Sequence, residues 1–498
     1  DENIAKINIK RILEGDFLKI LLTTLNSKFI HTNLAIRYLK EFAKDVQETE
    51  IREYTINNQA DYILKDIYKG GYDAVFFSVY IWNVVDIMSL CENLKKVMPN
   101  LIIGLGGPEV SYDSENLMKE NKFIDYILYG EGEVTFRDVC LMLNGKMNAA
   151  DIKGLVWRDG DKVVVNEERP YLQDLDLIPS PYDNMDPKEY ENRIVYYESS
   201  RGCPFNCQYC LSSAIKGLRY FSLDRVKKDL KKFIDRTFNA KKKTAMDIMK
   251  FLMENDNGFT TYHFEVTAHL IDDEMLEFLK DCKPGLFQFE IGVQSTDQNV
   301  LEACGRKDDF VKLSKVVKQI ESYKNIHQHL DLIAGLPYEG YKGFEKSFND
   351  VYNLGIEQLQ LGFLKMIKGT GIRKTADMHG FEYKSYPPYE VLSNKYISYG
   401  EILKLKDIEE MVERYYNSGN FRMSMEFIVK RYYRESPFKF YEEFAEYHDS
   451  NGYFDAGQGK NQNYKILLDF YEEKIGEDIE LFRDILKYDY VSLGKTSN

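Results

Sequence analysis

Apolar runs of strand length alternate with helical segments over the first third of the chain. The strand-like runs are LKILLTTL, EIREYTI, DAVFFSVYI, LIIGLGG and IDYILYGEG, and each is followed by a helix-like stretch. Five successive units of this kind predict an α/β domain with a doubly wound, Rossmann-like parallel sheet, which we assign to residues 1–150. Ligands of such sheets bind beyond the carboxyl ends of the strands. There the loops read TTLNSKFIHTN, SVYIWN, GGPEVSYD and GEGEVT.

The pattern changes twice further along the chain. Residues 151–186 predict a hairpin that turns at Asp159-Gly160, followed by a proline-punctuated linker. Over residues 187–383 strand–helix alternation returns, with strands in RIVYYESS, HFEVTA, LFQFEIGV, HLDLIAGL and EQLQLGFL, and predicts a full or partial (β/α) barrel. Residues 384–498 are acidic and aromatic and predict a helical C-terminal domain, which we expect to pack over the mouth of the barrel.

Composition and charge narrow the possible functions. The 498 residues include 80 acidic and 66 basic side chains, giving a net charge of −14, so we expect nucleic acid to be an unlikely partner. No stretch of 18 apolar residues and no secretion-signal pattern occurs, so we expect a cytoplasmic protein without a membrane partner. Seven cysteines, an odd number, fit a reducing compartment better than a disulfide framework.

Three of the seven cysteines are clustered in RGCPFNCQYC, at positions 203, 207 and 210. Thiolates spaced in this way can bind three corners of a cubane iron-sulfur cluster and leave one iron open. A zinc site normally has a fourth Cys or His ligand. A zinc knuckle or three buried thiols is therefore the disfavoured alternative.

The cysteine loop resembles that of the radical S-adenosylmethionine enzymes. In that superfamily Cys203, Cys207 and Cys210 would hold a 4Fe-4S cluster whose open iron binds S-adenosylmethionine, and Tyr209 would lie beside the adenine. The runs FEVTAH, EIGVQS, ACGRK and LDLIAGLP are similar to motifs of the branch that includes oxygen-independent coproporphyrinogen oxidase. The resemblance implies that these runs supply four residues to S-adenosylmethionine: Glu265, Gln294, Arg306 and Asp331.

The order of the domains resembles the cobalamin-dependent subgroup of these enzymes, and the tail resembles an uncharacterised C-terminal domain found in one of its branches. The sheet domain would then bind cobalamin through loop residues at the strand ends: Asn26, Ser78, Gly106, Gly107 and Gly130. His31 stands where a lower cobalt ligand would come from, although a hydrogen-bonded loop histidine is the favoured interpretation. A sheet that binds no ligand is the alternative for this domain.

The resemblance implies an enzyme that cleaves S-adenosylmethionine reductively and uses cobalamin, with methylation of an unactivated carbon of a small molecule or modified substrate as the leading reaction. An external donor such as flavodoxin or ferredoxin would supply the electron. Cobalamin-assisted rearrangement, cyclisation or oxidation is the second hypothesis, and a non-catalytic iron-sulfur redox or interaction module is the third. Cys304 is a less favoured candidate for a relay thiol, against a packed one.

One segment departs from the expected barrel. Between the helix SLDRVKKDLKK and Arg236, only Phe-Ile-Asp remains to form a strand. By resemblance, Asp235, Arg236 and Asn239 would lie near the methionine end of S-adenosylmethionine.

Overall fold

The computed structural model describes residues 18–183, 187–190, 193–215, 217–230, 234–235, 241–454 and 459–492. Its first domain is a seven-stranded sheet with the strand order β2-β1-β3-β4-β5-β6-β7. The strands are β1 (Ile20–Asn26), β2 (Thr49–Thr55), β3 (Ala74–Ser78), β4 (Ile102–Gly106), β5 (Tyr126–Leu128), β6 (Leu155–Asp159) and β7 (Lys162–Val165). The helices are α1 (Leu34–Ala43), α2 (Ala60–Gly70), α3 (Val84–Val97), α4 (Pro108–Ser111), α5 (Ser114–Glu120) and α6 (Gly132–Leu143).

Strands β1 to β5 are parallel, as the alternating pattern predicts. Every residue of β1 and of β3 is buried, because helices cover both faces of the sheet. The hairpin β6–β7 turns at the predicted Asp159-Gly160, and β6 pairs antiparallel with β5. The hairpin therefore extends the first sheet, and only the segment after Val165 connects the domains.

The second domain contains six parallel strands. They are β8 (Tyr196–Tyr197) paired with β11 (Ile234–Asp235), and the sheet of β12 (Tyr262–Glu265), β13 (Phe287–Gln294), β14 (His327–Ala334) and β15 (Gln358–Phe363). Within the described residues these strands form a partial barrel. The helices are α7 (Leu223–Leu230), α8 (Lys242–Glu254), α9 (Asp273–Lys280), α10 (Gln298–Ala303), α11 (Phe310–Tyr323) and α12 (Tyr341–Tyr352).

A small antiparallel ladder interrupts the barrel after its first strand. It joins β9 (Ser200–Arg201) to β10 (Arg219–Tyr220), with Arg201 opposite Arg219. The ladder closes the segment that carries the three clustered cysteines into a loop. The short Phe-Ile-Asp segment does contribute a strand, β11, while Arg236 and Asn239 lie outside the described residues and the side chain of Asp235 is not described.

The C-terminal part begins with two short helices, α13 (Gly371–Lys374) and α14 (Ala376–His379), and the hairpin β16 (Glu382–Tyr383) and β17 (Val391–Ser393). Helix α15 (Tyr399–Met411) continues as a π-helical turn, Val412–Asn417. The remaining helices are α16 (Arg422–Tyr432), α17 (Pro437–Ser450), α18 (Lys460–Lys474) and α19 (Ile479–Ser492).

Helix α15 runs beside strand β15. The position of a Cβ on Gly335, at the carboxyl end of β14, is 3.8 Å from Ile402 near the start of α15. At the other end, the amide of Asn417 both donates to and accepts from the backbone of Leu359, at 2.9 Å in each case. Asn417 thus gives the backbone N–H and C=O of Leu359 hydrogen-bond partners at the edge of β15. The backbone of a helix packed on that edge cannot provide them. That this domain packs over the mouth of the barrel stays a prediction, since Val391 and Ile402 also lie near Gly335 at the carboxyl end of β14.

In the described part of the chain, no helix has the length and apolar character that spanning a membrane would require.

Candidate cofactor site

A cavity of about 500 Å³ lies at the carboxyl edge of the first sheet. In the order β2-β1-β3-β4-β5, strand β2 is added on one side of β1 and the later strands on the other side. The strand order therefore reverses between β1 and β3, and doubly wound sheets bind ligands at this point. The second domain closes the cavity with Tyr196, Glu198 and Arg201. The five residues predicted from the strand-end loops all line this cavity: Asn26, Ser78, Gly106, Gly107 and Gly130.

Three of the glycines that line the cavity differ in what surrounds them. Gly130 has the left-handed φ of +82°, and a Cβ there would meet nothing within 4 Å; a Cβ on Gly106 would make only ordinary contacts, the nearest at 3.6 Å. The space beside both positions is open. Gly107 has φ +110° and its Cβ would lie 2.5 Å from the carbonyl oxygen of Val79. Gly107 is therefore required by the neighbouring backbone, which the sequence interpretation attributed to a ligand.

Asn83 holds the two central strand ends together, and the sequence reasoning missed it. Its Nδ2 donates to Thr24 Oγ1 at 3.2 Å and to Leu25 O at 3.0 Å, while its Oδ1 accepts from the backbone N–H of Tyr80 at 2.8 Å. Asn83 is fully buried, so each of these bonds replaces one to water. The sequence signal that could have identified Asn83 is its place directly before α3 in SVYIWN, since asparagine is common at the position that caps a helix.

His31 also lines the cavity, with its ring near the second domain. Its Nδ1 lies 2.7 Å from the hydroxyl oxygen of Tyr196, and the two rings stack with centroids 6.0 Å apart. This is the hydrogen-bonded loop histidine that the sequence interpretation favoured over a cobalt ligand.

The cysteine loop brings the three predicted thiols into one place. Cys207 is buried, while Cys203 and Cys210 are partly exposed. Burial raises the pKa of the Cys203 and Cys207 thiols, and the neighbouring cysteines add to the rise for both. In the described residues no three His, Cys, Asp or Glu side chains are placed to bind a single metal ion. A zinc knuckle therefore has no support in this part of the chain.

Both ends of the cysteine loop are tied to one segment of the first sheet domain. Arg201 Nη2 donates to Glu133 at 2.5 Å and lies 2.8 Å from Glu198, and Arg219 forms a two-pronged pair with Glu131 at 2.5 and 3.0 Å. Glu131 and Glu133 belong to GEGE, the segment that follows β5 and enters the first turn of α6. This five-residue set, the Arg–Glu clamp, joins the two domains beside the cavity.

Charge inside the clamp is not balanced. Three carboxylates face two guanidinium groups, and burial raises the pKa of Glu198, with Glu133 and Glu131 adding to the rise. Glu198 is 25% exposed, and it lines the cavity. A protonated Glu198 can donate a hydrogen bond to a bound molecule. Sequence reasoning missed the clamp because its partners are 68 and 88 residues apart.

Tyr209 and Arg306, predicted to contact the nucleoside, touch each other. Arg306 Nη1 donates to the Tyr209 hydroxyl at 3.1 Å, and Arg306 also pairs with Asp308 and donates to Gly292 O. Burial raises the pKa of Tyr209, so its hydroxyl stays neutral. A Cβ on Gly292 would collide with Gln294 Nε2, so glycine is needed to admit the glutamine side chain.

Gln294 and Asp331 present buried acceptors at the same end of the barrel. Gln294 has the left-handed φ of +71° at a bulge in β13, a strained conformation for glutamine. Among the described residues the buried Oε1 of Gln294 has no hydrogen-bond donor, and His329 Nε2 lies 3.3 Å from the buried Oδ1 of Asp331 without hydrogen-bond geometry. Burial, with Glu290 and Glu265 nearby, raises the pKa of Asp331 to about 8. Unsatisfied buried acceptors are costly, so a ligand with N–H or O–H donors gains by binding here.

The other two cysteines near the barrel are packed thiols. Cys282 and Cys304 are buried, and burial raises the pKa of each to about 12. Cys304 contributes to the site through its backbone, because its carbonyl accepts from Gln208 N at 2.8 Å.

Comparison with known proteins decides between the families that this geometry suggests. Residues 20–140 match the family model described as B12 binding domain, and residues 197–351 match the Radical SAM superfamily. Residues 377–498 match a family described as "Protein of unknown function (DUF4080)". The chain belongs to the cobalamin-dependent radical S-adenosylmethionine family.

Relatives in this cobalamin-dependent family include methyltransferases. The "Uncharacterized methyltransferase PH0819" of Pyrococcus horikoshii is 26% identical over 68% of this chain and 76% of its own length. The "Cobalamin-dependent radical SAM methyltransferase TokK" of Streptomyces tokunonensis is 26% identical over 63% of this chain, which spans 49% of that protein. The solved structure of OxsB with aqua-cobalamin bound aligns over 97% of this chain and 81% of its own, with TM-score 0.67 and 14% identity, and so shows the shared fold.

The cysteine loop of this family member fits a cubane cluster. A cubane places each thiolate on a different iron, so the sulfurs stand further apart than the ligands of one metal ion. The three free cysteines lie on one loop closed at its base by β9 and β10, which can present three thiolates to such a cluster.

The cavity fits part of a cobalamin molecule. The glycine positions at the ends of β4 and β5 leave open space, and the cavity lies at the reversal point of the sheet. Its volume of about 500 Å³ is less than a whole cobalamin, so the remainder would lie beyond the enclosed space. The family assignment, the fold class and the cofactor set expected from the sequence are confirmed.

Proposed function

We propose that the protein methylates an unactivated carbon of a small molecule or modified substrate, with S-adenosylmethionine as methyl and radical source. One observation carries the proposal: the cavity of the cobalamin-binding domain is next to the start of the cysteine loop. Arg201 lines the cavity and is two residues before Cys203. Two cofactors bound in these adjacent places can act on one substrate.

When bound, the cluster supplies the electron that cleaves S-adenosylmethionine and cobalamin carries the methyl group. The chain itself binds, orients and excludes water. Tyr209 and Arg306, joined at 3.1 Å, are placed to contact the nucleoside. Gln294 and Asp331 offer acceptors, and Glu265 is near enough to raise the pKa of Asp331. These roles remain predictions, as do those of the five cavity residues toward cobalamin.

We also propose where the reaction takes place and what feeds it. All seven cysteines are free, which fits the reducing cytoplasm. Reduction of the cluster needs an external one-electron donor, such as flavodoxin or ferredoxin. Rearrangement, cyclisation or oxidation without methyl transfer is the second hypothesis, and it predicts a different product from S-adenosylmethionine.

Product analysis of S-adenosylmethionine separates the hypotheses. Anaerobically reconstituted protein with cobalamin and dithionite is expected to form both S-adenosylhomocysteine and 5′-deoxyadenosine. 5′-Deoxyadenosine alone would favour rearrangement or oxidation over methylation. Neither product, from protein shown to hold four irons and one cobalamin, would leave only the non-catalytic module. The Cys203→Ala variant is the control for dithionite chemistry at adventitious iron.

A further inference from the structure

The tip of the cysteine loop reaches the protein surface. Pro204 and Asn206, which lie between the first two cluster-ligand cysteines, are exposed. Behind them the chain from Cys304 to Lys307 packs against the loop: a Cβ on Gly305 would lie 2.6 Å from Asn206 O. An approaching molecule can therefore come close to the cluster ligands at this point without entering the barrel.

A row of exposed lysines begins beside this loop. Four of them, the lysine patch, lie within twelve residues on and just before α11: Lys307, Lys312, Lys315 and Lys318. Lys312 Nζ donates to the carbonyl of His269, and the ring of His269 contacts Phe205 of the cysteine loop, with centroids 6.0 Å apart. This contact fixes the patch next to the loop.

The positive charge of the patch is not neutralised locally. Among the described residues no carboxylate forms an ion pair with any of the four lysines. The acidic side chains nearby are engaged elsewhere. Asp309 Oδ1 caps α11 by accepting from the amides of Val311 and Lys312 at 2.9 and 3.1 Å, and Asp308 pairs with His269 and Arg306. On the neighbouring helix α9 and just before it, Asp272 and Glu274 pair with Lys242 and Glu277 pairs with Lys280. Glu302, nearby in sequence, accepts from Gln298 at 3.0 Å. In a chain of net charge −14 such a patch calls for an explanation.

An exposed apolar residue lies within the patch. Val311 is 63% exposed and stands beside Lys312 and one helical turn before Lys315. A small apolar centre with a rim of one charge is suited to brief, steered contacts with a partner of opposite charge. The pattern favours an acidic protein over nucleic acid, since the surface elsewhere carries a surplus of carboxylates that would repel a long phosphate backbone.

We propose that the lysine patch docks a small acidic electron-carrier protein, which delivers one electron to the cluster through the exposed tip of the cysteine loop. The carrier is oxidised by one electron, the cluster is reduced by one, and no atoms are exchanged. The inference rests on the proposed function, because it needs the cluster. It adds the surface through which that cluster is reduced.

The experiment compares two reductants on anaerobically reconstituted protein. Cluster reduction is followed by stopped-flow absorbance with photoreduced flavodoxin, an acidic flavoprotein, and separately with dithionite. The test variant is Lys312→Glu/Lys315→Glu. The matched control is Lys404→Glu/Lys430→Glu, which reverses two exposed lysines in the C-terminal domain, 54% and 74% exposed.

With flavodoxin at low salt we expect the patch variant to be reduced about tenfold more slowly than the wild type and the control variant. The wild-type rate should fall as salt is added, and all three proteins should react equally with dithionite. Equal flavodoxin rates in the patch and control variants would overturn the proposal. So would a short RNA that binds the wild type and not the patch variant, with flavodoxin rates unchanged. A wild type whose cluster fails to form or to react with dithionite contradicts the proposed function instead.

Discussion

Removing Arg201 is the most direct test of how the two domains are joined. In Arg201→Ala, Glu133 loses a partner at 2.5 Å and Glu198 one at 2.8 Å. The side chains of Arg201 and Glu133 are 11% and 7% exposed, so water cannot replace the lost contact at low cost. Breaking a buried pair by removing one partner costs about 3–5 kcal/mol, and we expect a loss in that range at pH 8.

The loss should depend on pH in a defined direction. Burial already raises the pKa of Glu198, and the Arg201 guanidinium opposes that rise, so removing Arg201 raises the pKa of Glu198 in the folded protein further above its unfolded value. As the pH falls, Glu198 of the variant takes up its proton in the folded state first, so the difference in unfolding free energy between wild type and variant should shrink.

Urea unfolding monitored by tryptophan fluorescence measures the loss of unfolding free energy in the sheet domain. Both tryptophans, Trp82 and Trp157, lie in the sheet domain. The matched control is Arg225→Ala. It breaks a buried pair with Asp229, at 2.6 Å on helix α7 of the second domain, and should leave the urea midpoint of the sheet domain unchanged. An Arg201→Ala protein within about 1 kcal/mol of wild type at pH 8, or a gap that stays constant down to pH 5, would refute the reasoning.

Four further results are expected. Replacing all three cysteines of the loop with alanine should remove the brown chromophore and bring bound iron and sulfide near zero, and iron retained near four per chain would contradict the assignment. Cobalamin should quench most of the fluorescence of Trp82, which lines the cavity, so Trp82→Phe should lose the quenching that Trp157→Phe retains. Because the pKa of Asp331 is raised to about 8, Asp331→Asn should raise the melting temperature of ligand-free protein more at pH 8 than at pH 6, and an equal rise at both would count against burial of this carboxyl. The electron paramagnetic resonance spectrum of the cob(II)alamin form should be the same in wild type and His31→Ala, and nitrogen splitting that the substitution removes would make His31 a cobalt ligand.

The sheet domain was predictable because its signal is local. Strands such as AVFFS and ILLTTLN are buried throughout, and a continuous apolar run shows this directly. Where the strands are short the signal fails: β8 and β11 have two residues each, and their pairing depends on the rest of the barrel. The cysteine loop was also predictable, because its three cysteines lie within ten residues of the sequence and so form a local signal.

The parts of the site that join distant segments were not predictable. Nothing in GEGE or SSRGC shows that Glu133 pairs with Arg201, because any exposed glutamate has the same local pattern. Asn83 was visible as a helix cap but not as the link between β1 and β3. Gly107 was identified as special, but its close approach to the backbone of Val79 was not foreseen. Such contacts are fixed by the assembled fold.

The ladder that pairs Arg201 with Arg219 limits how these domains can be exchanged between proteins. Each arginine pairs with a glutamate of one four-residue segment in the neighbouring domain, and Arg201 pairs also with Glu198 of its own domain. A barrel expressed alone, or grafted onto a foreign cobalamin-binding domain, would leave Arg219 without a carboxylate partner and Arg201 with Glu198 alone. A chimera of this family would have to transfer the Gly-Glu-Gly-Glu segment together with the barrel, so that the unit of inheritance spans the domain boundary.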